Sequence, residues 1–307
     1  MPPPVETHAK SALSDRVTQR WVRLTGQAFA LAERPWLEGP VGPPDGIGGD
    51  FFQRWADANG LSVLRGPASR GLLPDLAGLA GPSFDPSRVH PDVRRFYEHT
   101  SSYELEAWSE WSGVFRPFGW ILARVFSRRL QQLNVPLHPL DTSEGTSSEV
   151  LHLVSPTEGL VMAAWVRHLR QSGDVLYAGS YSIARVPGHD SPCVRVVFPL
   201  PNGNAMVFLR PSVDDDGAMT VLSKGRKSGD PGFYFTVRDS QRARTWVRYV
   251  QTMRESIRVY AAGNGEVRAD HVMWVFGFVF LRLHYRLRPL PEGGRVDRSV
   301  DRDLSPP

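Results

Sequence analysis

The spacing of apolar residues divides the chain into two parts. Up to about Pro136, apolar positions recur mainly every three or four residues, which is the spacing of an amphipathic helix. After Pro136 they alternate with polar positions in short runs rich in Val, Tyr, Phe and Leu. The sequence therefore predicts a helical first part followed by an antiparallel sheet.

Four segments of the first part have the pattern of a helix. In residues 117–133 the apolar positions follow the 3.6-residue period, and the arginines fall mainly on the other side. Residues 14–32, 50–59 and 92–99 each begin at a capping residue or just after a proline. Residues 103–111 instead alternate apolar and acidic positions, which favours a strand.

Short β-strands are predicted throughout the second part, separated by Gly, Pro, Asn or Asp. Three of the separators, residues 201–204, 214–217 and 263–265, are typical of tight hairpin turns. The predicted strands are residues 149–154, 160–169, 175–186, 194–200, 205–210, 219–223, 232–237, 257–261, 266–274 and 278–287.

One segment within this part has a different pattern. Residues 239–254 place Trp246, Tyr249 and Val250 at helical spacing behind a cap at Asp239, so a helix is predicted there, with a strand as the alternative.

The fold class predicted from these elements is α+β. A helical region at about residues 11–135 is expected to pack on a curved or barrel-like antiparallel sheet formed by residues 136–290, with the helix at 117–133 over its inner face. Residues 86–135 can belong to the same domain as the sheet, and the number of domains stays open. Residues 1–10 and 291–307 have the composition of disordered tails.

Composition narrows the class of protein. Apolar residues make up 41% and charged residues 22% of the chain, which is the balance of a globular protein. The net charge of +4 comes from arginines spread along the whole length, and only three of the 36 basic residues are lysines. Because this charge is not clustered, we expect no binding of nucleic acid.

The cysteine content, the N-terminus and the longest apolar run predict where in the cell the protein is located. The single Cys193 excludes an internal disulfide, and the N-terminus does not resemble a signal peptide. The apolar run at residues 272–281 is too short to cross a bilayer. These observations predict a soluble, cytoplasmic protein without a transmembrane segment, and they leave contact with a membrane surface open.

The connector between the two parts carries candidate catalytic chemistry. It concentrates side chains that suit acid–base work or a hard metal, although their spacing matches no established metal site, so we expect no metal or cofactor. The alternative is a solvated loop that hydrogen-bonds its own turns. The residues are His138, Asp141, Glu144, Glu149 and His152.

The aromatic content suggests a different function. Most of the nine tryptophans lie on or beside segments with an apolar face, and a curved sheet often leaves a cavity for one small molecule. We therefore expect non-catalytic binding of a hydrophobic or amphipathic small molecule. The candidate lining residues are Tyr97, Trp120, Trp165, Trp274 and His284.

Two further functions stay open at this point. One is an enzyme that uses the polar connector, and the other is an interaction scaffold that uses the proline-rich residues 35–90. A nucleophilic role for Cys193 is a weaker possibility, because its neighbourhood reads as the start of a buried strand.

Overall fold

The computed structural model describes most of the chain. The described residues are 13–43, 47–65, 71–113, 146–169, 173, 175–239 and 242–291. The helix predicted at 117–133 lies outside them.

The helices in the described residues are short. The α-helices are α1 (Leu13–Thr25), α2 (Phe51–Ala58) and α3 (Pro91–Glu98). Single turns of 3-10 helix occur at Leu31–Glu33, Pro35–Leu37, Leu76–Leu79, Pro86–Arg88 and Thr100–Ser102.

Strands dominate the described structure. They are β1 (Gln27–Phe29), β2 (Ser62–Leu64), β3 (Tyr103–Trp111), β4 (Thr146–Ser155), β5 (Gly159–Leu169), β6 (Val175–Ala184), β7 (Cys193–Leu200), β8 (Gly203–Val213), β9 (Met219–Ser223), β10 (Gly232–Asp239), β11 (Arg244–Val250), β12 (Met253–Gly263), β13 (Glu266–Val275) and β14 (Phe278–Pro289). The predicted strand at 103–111 and the predicted antiparallel sheet are confirmed.

The strand β8 joins two sheets. Its first half pairs with β7 and β10, and its second half pairs with β9. The first sheet has the order β1-β11-β10-β8-β7-β6-β5-β4-β2, and the second has the order β8-β9-β12-β13-β14-β3. Every pairing between these strands is antiparallel.

The described strands do not close into a barrel. The series of paired strands that passes through β8 ends with β2, which pairs with β4, and with β3, which pairs with β14. No pairing among the described residues joins β2 to β3. The described part of the molecule is therefore an open antiparallel sheet that folds over on itself at β8.

The predicted helix at 239–254 is wrong, because β10, β11 and β12 occupy this region. Trp246 and Val250 are four residues apart, a spacing that also places two side chains on one face of a strand. Pairing of β11 with both β10 and β1 selects the extended form, and Ala243, with φ of 48°, makes the turn before β11.

The helices predicted at 50–59 and 92–99 are present as α2 and α3, whereas the first helix is shorter than its apolar spacing predicts. Helix α1 ends at Thr25, where the sequence pattern continues to residue 32. A Cβ atom at Gly26 would lie 2.5 Å from the carbonyl oxygens of Val22 and Val247, so glycine is required for the chain to leave the helix and pair as β1. Contact with a distant strand decides this boundary.

The main core lies between the two sheets. It joins inward residues of both sheets to the segment 72–105, in which α3 buries Val93, Phe96 and Tyr97. Pro91 occupies the first turn of α3, and Nδ1 of His90 accepts a hydrogen bond from the Asp92 amide at 3.2 Å, which explains where this helix begins.

The opposite face of the first sheet is also covered. Helix α2 packs Phe51 and Phe52 on β4, β5 and β6. Phe29 and Leu37 pack on the region around β8 and β10. The first sheet is therefore buried on both faces, which explains its long apolar runs.

The outer face of the second sheet is polar. The basic residues that alternate along β14, from Arg282 to Arg288, lie there, and several of them face carboxylates on β3 and β13. Arg288 binds Glu106 at 2.7 Å, and Arg286 binds Glu266 at 2.8 Å. Cross-strand pairs of this kind neutralise most of the basic side chains on the outer face of β14.

Candidate functional site

Polar side chains meet on the inner faces of the two sheets, where alternation would otherwise favour apolar residues. We call this group the inter-sheet cluster. It consists of Arg167 on β5, Tyr177 and Tyr181 on β6, Glu255 on β12, His271 on β13 and Tyr285 on β14.

Strand register places the first-sheet members side by side. Arg167 lies opposite Tyr177, and the hydroxyl oxygens of Tyr177 and Tyr181 are 2.6 Å apart. Between the two tyrosines lies Gly179, where a Cβ atom would come within 2.8 Å of the Tyr177 hydroxyl oxygen. The absence of a side chain at Gly179 therefore leaves room for the tyrosine pair.

The second-sheet members form a carboxylate–imidazole pair. Oε2 of Glu255 lies 2.7 Å from Nε2 of His271, and their side chains are 8% and 12% exposed. The Glu255 amide donates to the hydroxyl of buried Ser223 at 2.8 Å, which holds the backbone of this residue. The Tyr285 ring lies nearly parallel to the His271 ring.

The two halves of the cluster influence each other electrostatically. Burial lowers the pKa of Arg167, while Tyr285 from the second sheet and Tyr177 from the first oppose this shift. Burial raises the pKa of Tyr177 well above its usual value, and the charge of Glu255 on the second sheet raises it further. The members of the cluster on the two sheets are therefore coupled electrostatically.

The tyrosines are neutral hydrogen-bonding groups at physiological pH. Burial raises the pKa of Tyr285 to about 12, and it raises the pKa of Tyr181 as well. Each is nevertheless only half-buried, as is Tyr177. The three tyrosines therefore combine strong desolvation with some accessible surface.

Aromatic rings form a wall beside the cluster. Trp165, Tyr177 and Phe198 pack edge to face, with the Trp165 and Tyr177 ring centroids 5.7 Å apart and those of Tyr177 and Phe198 5.5 Å apart. The indole Nε1 of Trp165 donates to Ser148 Oγ at 2.6 Å, which fixes the ring. The Arg167 guanidinium carbon lies 5.7 Å from the Trp165 ring centroid.

This arrangement can bind a molecule that has a polar and an apolar end. Arg167 supplies a positive charge, the tyrosines supply neutral hydroxyls, and the Glu255–His271 pair can accept or donate a proton. The aromatic wall offers contact to an apolar chain.

A separate surface depression lies away from the cluster. It has a volume of about 270 Å³ and is lined by Pro43, Phe51, Arg54 and Trp55. It lies beside α2, on the opposite face of the first sheet, and shares no residue with the inter-sheet cluster.

The structure separates the predicted ligand-binding residues. Trp165 lies in the aromatic wall, and Tyr97 is buried in the adjoining core. Trp274 and His284 lie on the outer face of the second sheet, where Trp274 packs under Arg254 and Nδ1 of His284 lies 2.7 Å from Asp270 Oδ1. Trp120 lies outside the described residues.

The predicted acid–base residues are not brought together where the structure describes them. Glu149 and His152 point to opposite faces of β4. Glu149 binds Arg65 at 2.9 Å on the surface, and the Nε2 atom of buried His152 lies 2.8 Å from the Gly71 carbonyl oxygen. The other three candidates, His138, Asp141 and Glu144, lie outside the described residues.

The environment of Cys193 suits packing. Its side chain is fully buried, and burial raises its pKa to about 12. A thiol with this pKa carries almost no thiolate at neutral pH, so it is a poor nucleophile.

No member of the inter-sheet cluster was predicted from the sequence. Arg167 carries a usable signal, because it interrupts the apolar run LVMAAWV and lies in phase with Trp165. Glu255 and His271 carry none, since each lies in an alternating strand whose inner face the sequence leaves undefined. Across the described ranges, no group of three or more His, Cys, Asp or Glu side chains is arranged to hold a metal ion.

Comparisons with known proteins show similarity to a membrane protein. No family model matches the chain, and no solved structure shows significant similarity to it. Over 220 residues, which are 71% of this chain, it is 28% identical to the uncharacterized membrane protein YndJ of Bacillus subtilis (strain 168). The matched region covers 38% of that protein, so the chain spans well under half of the relative's length.

This similarity corrects the predicted location. The prediction of a soluble, cytoplasmic protein is wrong, because the similar protein is named as a membrane protein. The prediction depended on an N-terminal stretch that does not resemble a signal peptide and on short apolar runs, and these features do not by themselves locate a protein. Where the structure describes the chain, it contains no helix with the length and apolar character needed to cross a bilayer.

Proposed function

We propose that the protein binds an amphipathic, lipid-like molecule between its two sheets. Arg167 carries this proposal: it is a cation, 5% exposed, on the inner face of a sheet and beside three neutral tyrosines. Burying a charge costs several kcal/mol before its contacts offset the loss of water.

The surroundings of Arg167 indicate the class of ligand. A cation with neighbouring hydroxyl donors suits an acidic headgroup, such as a phosphate or a carboxylate. Phe198, Ile257 and Met273 are apolar, only partly buried and packed against the same core, so they suit the chain of such a molecule. The similarity to a protein named as a membrane protein supports a ligand that comes from a membrane.

The proposal is tested on freshly purified protein by native mass spectrometry and by solvent extraction. We expect a co-purifying acidic lipid, and we expect Arg167→Met to lose it while the folded state persists. Arg195→Met is the matched control, because Arg195 is also desolvated but lies on the other face of the first sheet, where it donates to Ser182 and Glu38. Protein that is repeatedly empty, or equal loss of ligand in both variants, would contradict the proposal.

The Glu255–His271 pair favours a second candidate, acid–base catalysis on the bound molecule. A carboxylate bound to one ring nitrogen fixes the imidazole tautomer and leaves the other nitrogen for a proton transfer. Turnover of the co-purified lipid that disappears in His271→Asn, with ligand binding retained, would support catalysis. A lipid that stays intact on the wild-type protein would leave binding as the function.

A further inference from the structure

The turn between β13 and β14 exposes two large aromatic side chains. Phe276 and Phe278 are 73% and 68% exposed, and they flank Gly277. The turn is not a loose loop, because Val275 pairs with Phe278 across it and the Phe276 amide donates to the Thr252 carbonyl oxygen at 2.8 Å. We call residues 276–278 the aromatic tip.

The backbone of this turn is unfavourable for phenylalanine. Phe276 has φ of 51° and Gly277 has φ of 86°. Residues with a Cβ atom avoid this left-handed region, and asparagine tolerates it best after glycine. The other end of β13 makes a turn of the same kind with Asn264 (φ 53°) and Gly265 (φ 75°). The chain thus carries asparagine in the turn at one end of β13, and an exposed phenylalanine in the corresponding position at the aromatic tip.

The charges near the tip differ from those on the rest of the same face. Arg268, Arg286 and Arg288, farther from the tip, each bind a carboxylate. In the part of the chain that the structure describes, neither Arg254 nor Arg282 has a carboxylate within ion-pair distance. Glu110, which lies opposite Arg282 in the register, approaches His284 at 3.9 Å instead.

An aromatic side chain completes this surface. Arg254 lies opposite Trp274 in the register, and its guanidinium carbon is 4.8 Å from the Trp274 ring centroid. Behind the two exposed phenylalanines, the outer face of the adjoining strands therefore carries a tryptophan and two arginines that have no carboxylate partner among the described residues. Aromatic residues at the level of the headgroups, together with arginines, are the typical composition of a surface that contacts an anionic bilayer.

We infer that the aromatic tip inserts into the surface of an anionic lipid bilayer, with Arg254 and Arg282 against the headgroups. Insertion transfers the Phe276 and Phe278 side chains from water to the acyl boundary, which compensates for the unfavourable turn. This docking is separate from ligand binding between the sheets, because it uses the outer end of β13 and none of the inter-sheet cluster.

The test measures co-sedimentation of the full chain with two kinds of vesicle, phosphatidylcholine alone and phosphatidylcholine mixed with phosphatidylglycerol. We expect binding to the mixed vesicles, and about a tenfold loss of partitioning for Phe276→Asn and for Phe278→Ser. Arg282→Gln should lower binding to the mixed vesicles about fivefold and leave binding to phosphatidylcholine unchanged. Leu64→Ser, which removes an exposed apolar side chain from β2, should bind as the wild type does.

Thermal unfolding distinguishes docking from a structural role of the tip. Because asparagine suits the turn, Phe276→Asn should raise the melting temperature by about 2–4 °C while it weakens binding. A lower melting temperature of this variant would overturn the inference. Unchanged vesicle binding of Phe276→Asn would also overturn it, as would a wild-type protein that binds neither kind of vesicle. A wild-type dimer in sedimentation velocity that Phe276→Asn dissociates would instead identify the tip as a contact between two copies of the chain and would overturn it too.

Discussion

The Glu255 carboxylate on β12 and the His271 imidazole on β13 lie 2.7 Å apart on the inner face of the second sheet. They are separated by one position along the inner face, so they meet diagonally across the strand pair. Both side chains are almost fully buried, so this contact supplies each of them with a polar partner away from water.

Removal of the carboxylate is expected to destabilise the fold. Glu255→Gln leaves His271 with a weaker acceptor in a desolvated site, and we expect a loss of about 1–3 kcal/mol in the free energy of unfolding. Urea denaturation measures this loss. In a double-mutant cycle with His271→Asn, the coupling should exceed about 0.5 kcal/mol. Additive effects of the two changes would show that the pair does not interact in solution.

The glycine beside the tyrosine pair provides a test of packing. Gly179→Ala places a Cβ atom 2.8 Å from the Tyr177 hydroxyl oxygen and 3.2 Å from the Phe198 ring. We expect a loss of about 1–3 kcal/mol in stability, measured by chemical denaturation, together with reduced occupancy by the co-purified ligand. Gly113→Ala is the control, since a Cβ atom there meets no atom of the described residues within 4 Å. Equal stability of both variants would show that Tyr177 and Phe198 accommodate the added methyl group.

Alkaline pH should weaken the fold. Burial raises the pKa of Tyr285 to about 12, above its ordinary value of 10.0, so the unfolded chain loses this proton at a lower pH than the folded protein does. The stabilising contribution is fully present below pH 10 and is lost as the pH rises towards 12. Denaturation between these pH values should show stability falling with a smaller slope for Tyr285→Phe than for the wild type. If the free energy of unfolding falls with pH equally steeply in both proteins, the Tyr285 hydroxyl is exposed to water in the folded state.

A structural role is predicted for His152. Its Nε2 atom lies 2.8 Å from the Gly71 carbonyl oxygen, and the side chain is 7% exposed. His152→Ala should lose about 1–3 kcal/mol of stability, because the change leaves a buried carbonyl without this partner. Differential scanning calorimetry measures the loss. Unchanged stability combined with loss of a chemical activity would instead favour the acid–base role that the sequence suggested.

The hairpins and strands show what short-range pattern could predict. Asn264-Gly265 has the chemistry of a tight turn, and the alternating residues on either side form β12 and β13. The two-residue turn at the aromatic tip was harder to identify, because phenylalanine replaces the expected asparagine. Residues 244–250 show the limit of periodicity, since pairing with two other strands overrides a helical spacing.

The candidate site depended on information that no local pattern contains. Trp274 and His284 looked suitable for a ligand. Alternation along the strands only shows that they lie on the other face of the sheet from His271 and Tyr285. It does not say which of the two faces meets the other sheet.

The sequence alone determined that residues beyond Pro136 form antiparallel strands, and where most of them turn. These properties depend on neighbours in the chain, through alternation and the backbone preferences of Asn and Gly. Only the tertiary structure decided that Arg167, Tyr177, Glu255 and His271 come together between the two sheets. Their meeting depends on strands far apart in sequence folding over one another at β8, so that each buries its inner face against the other sheet.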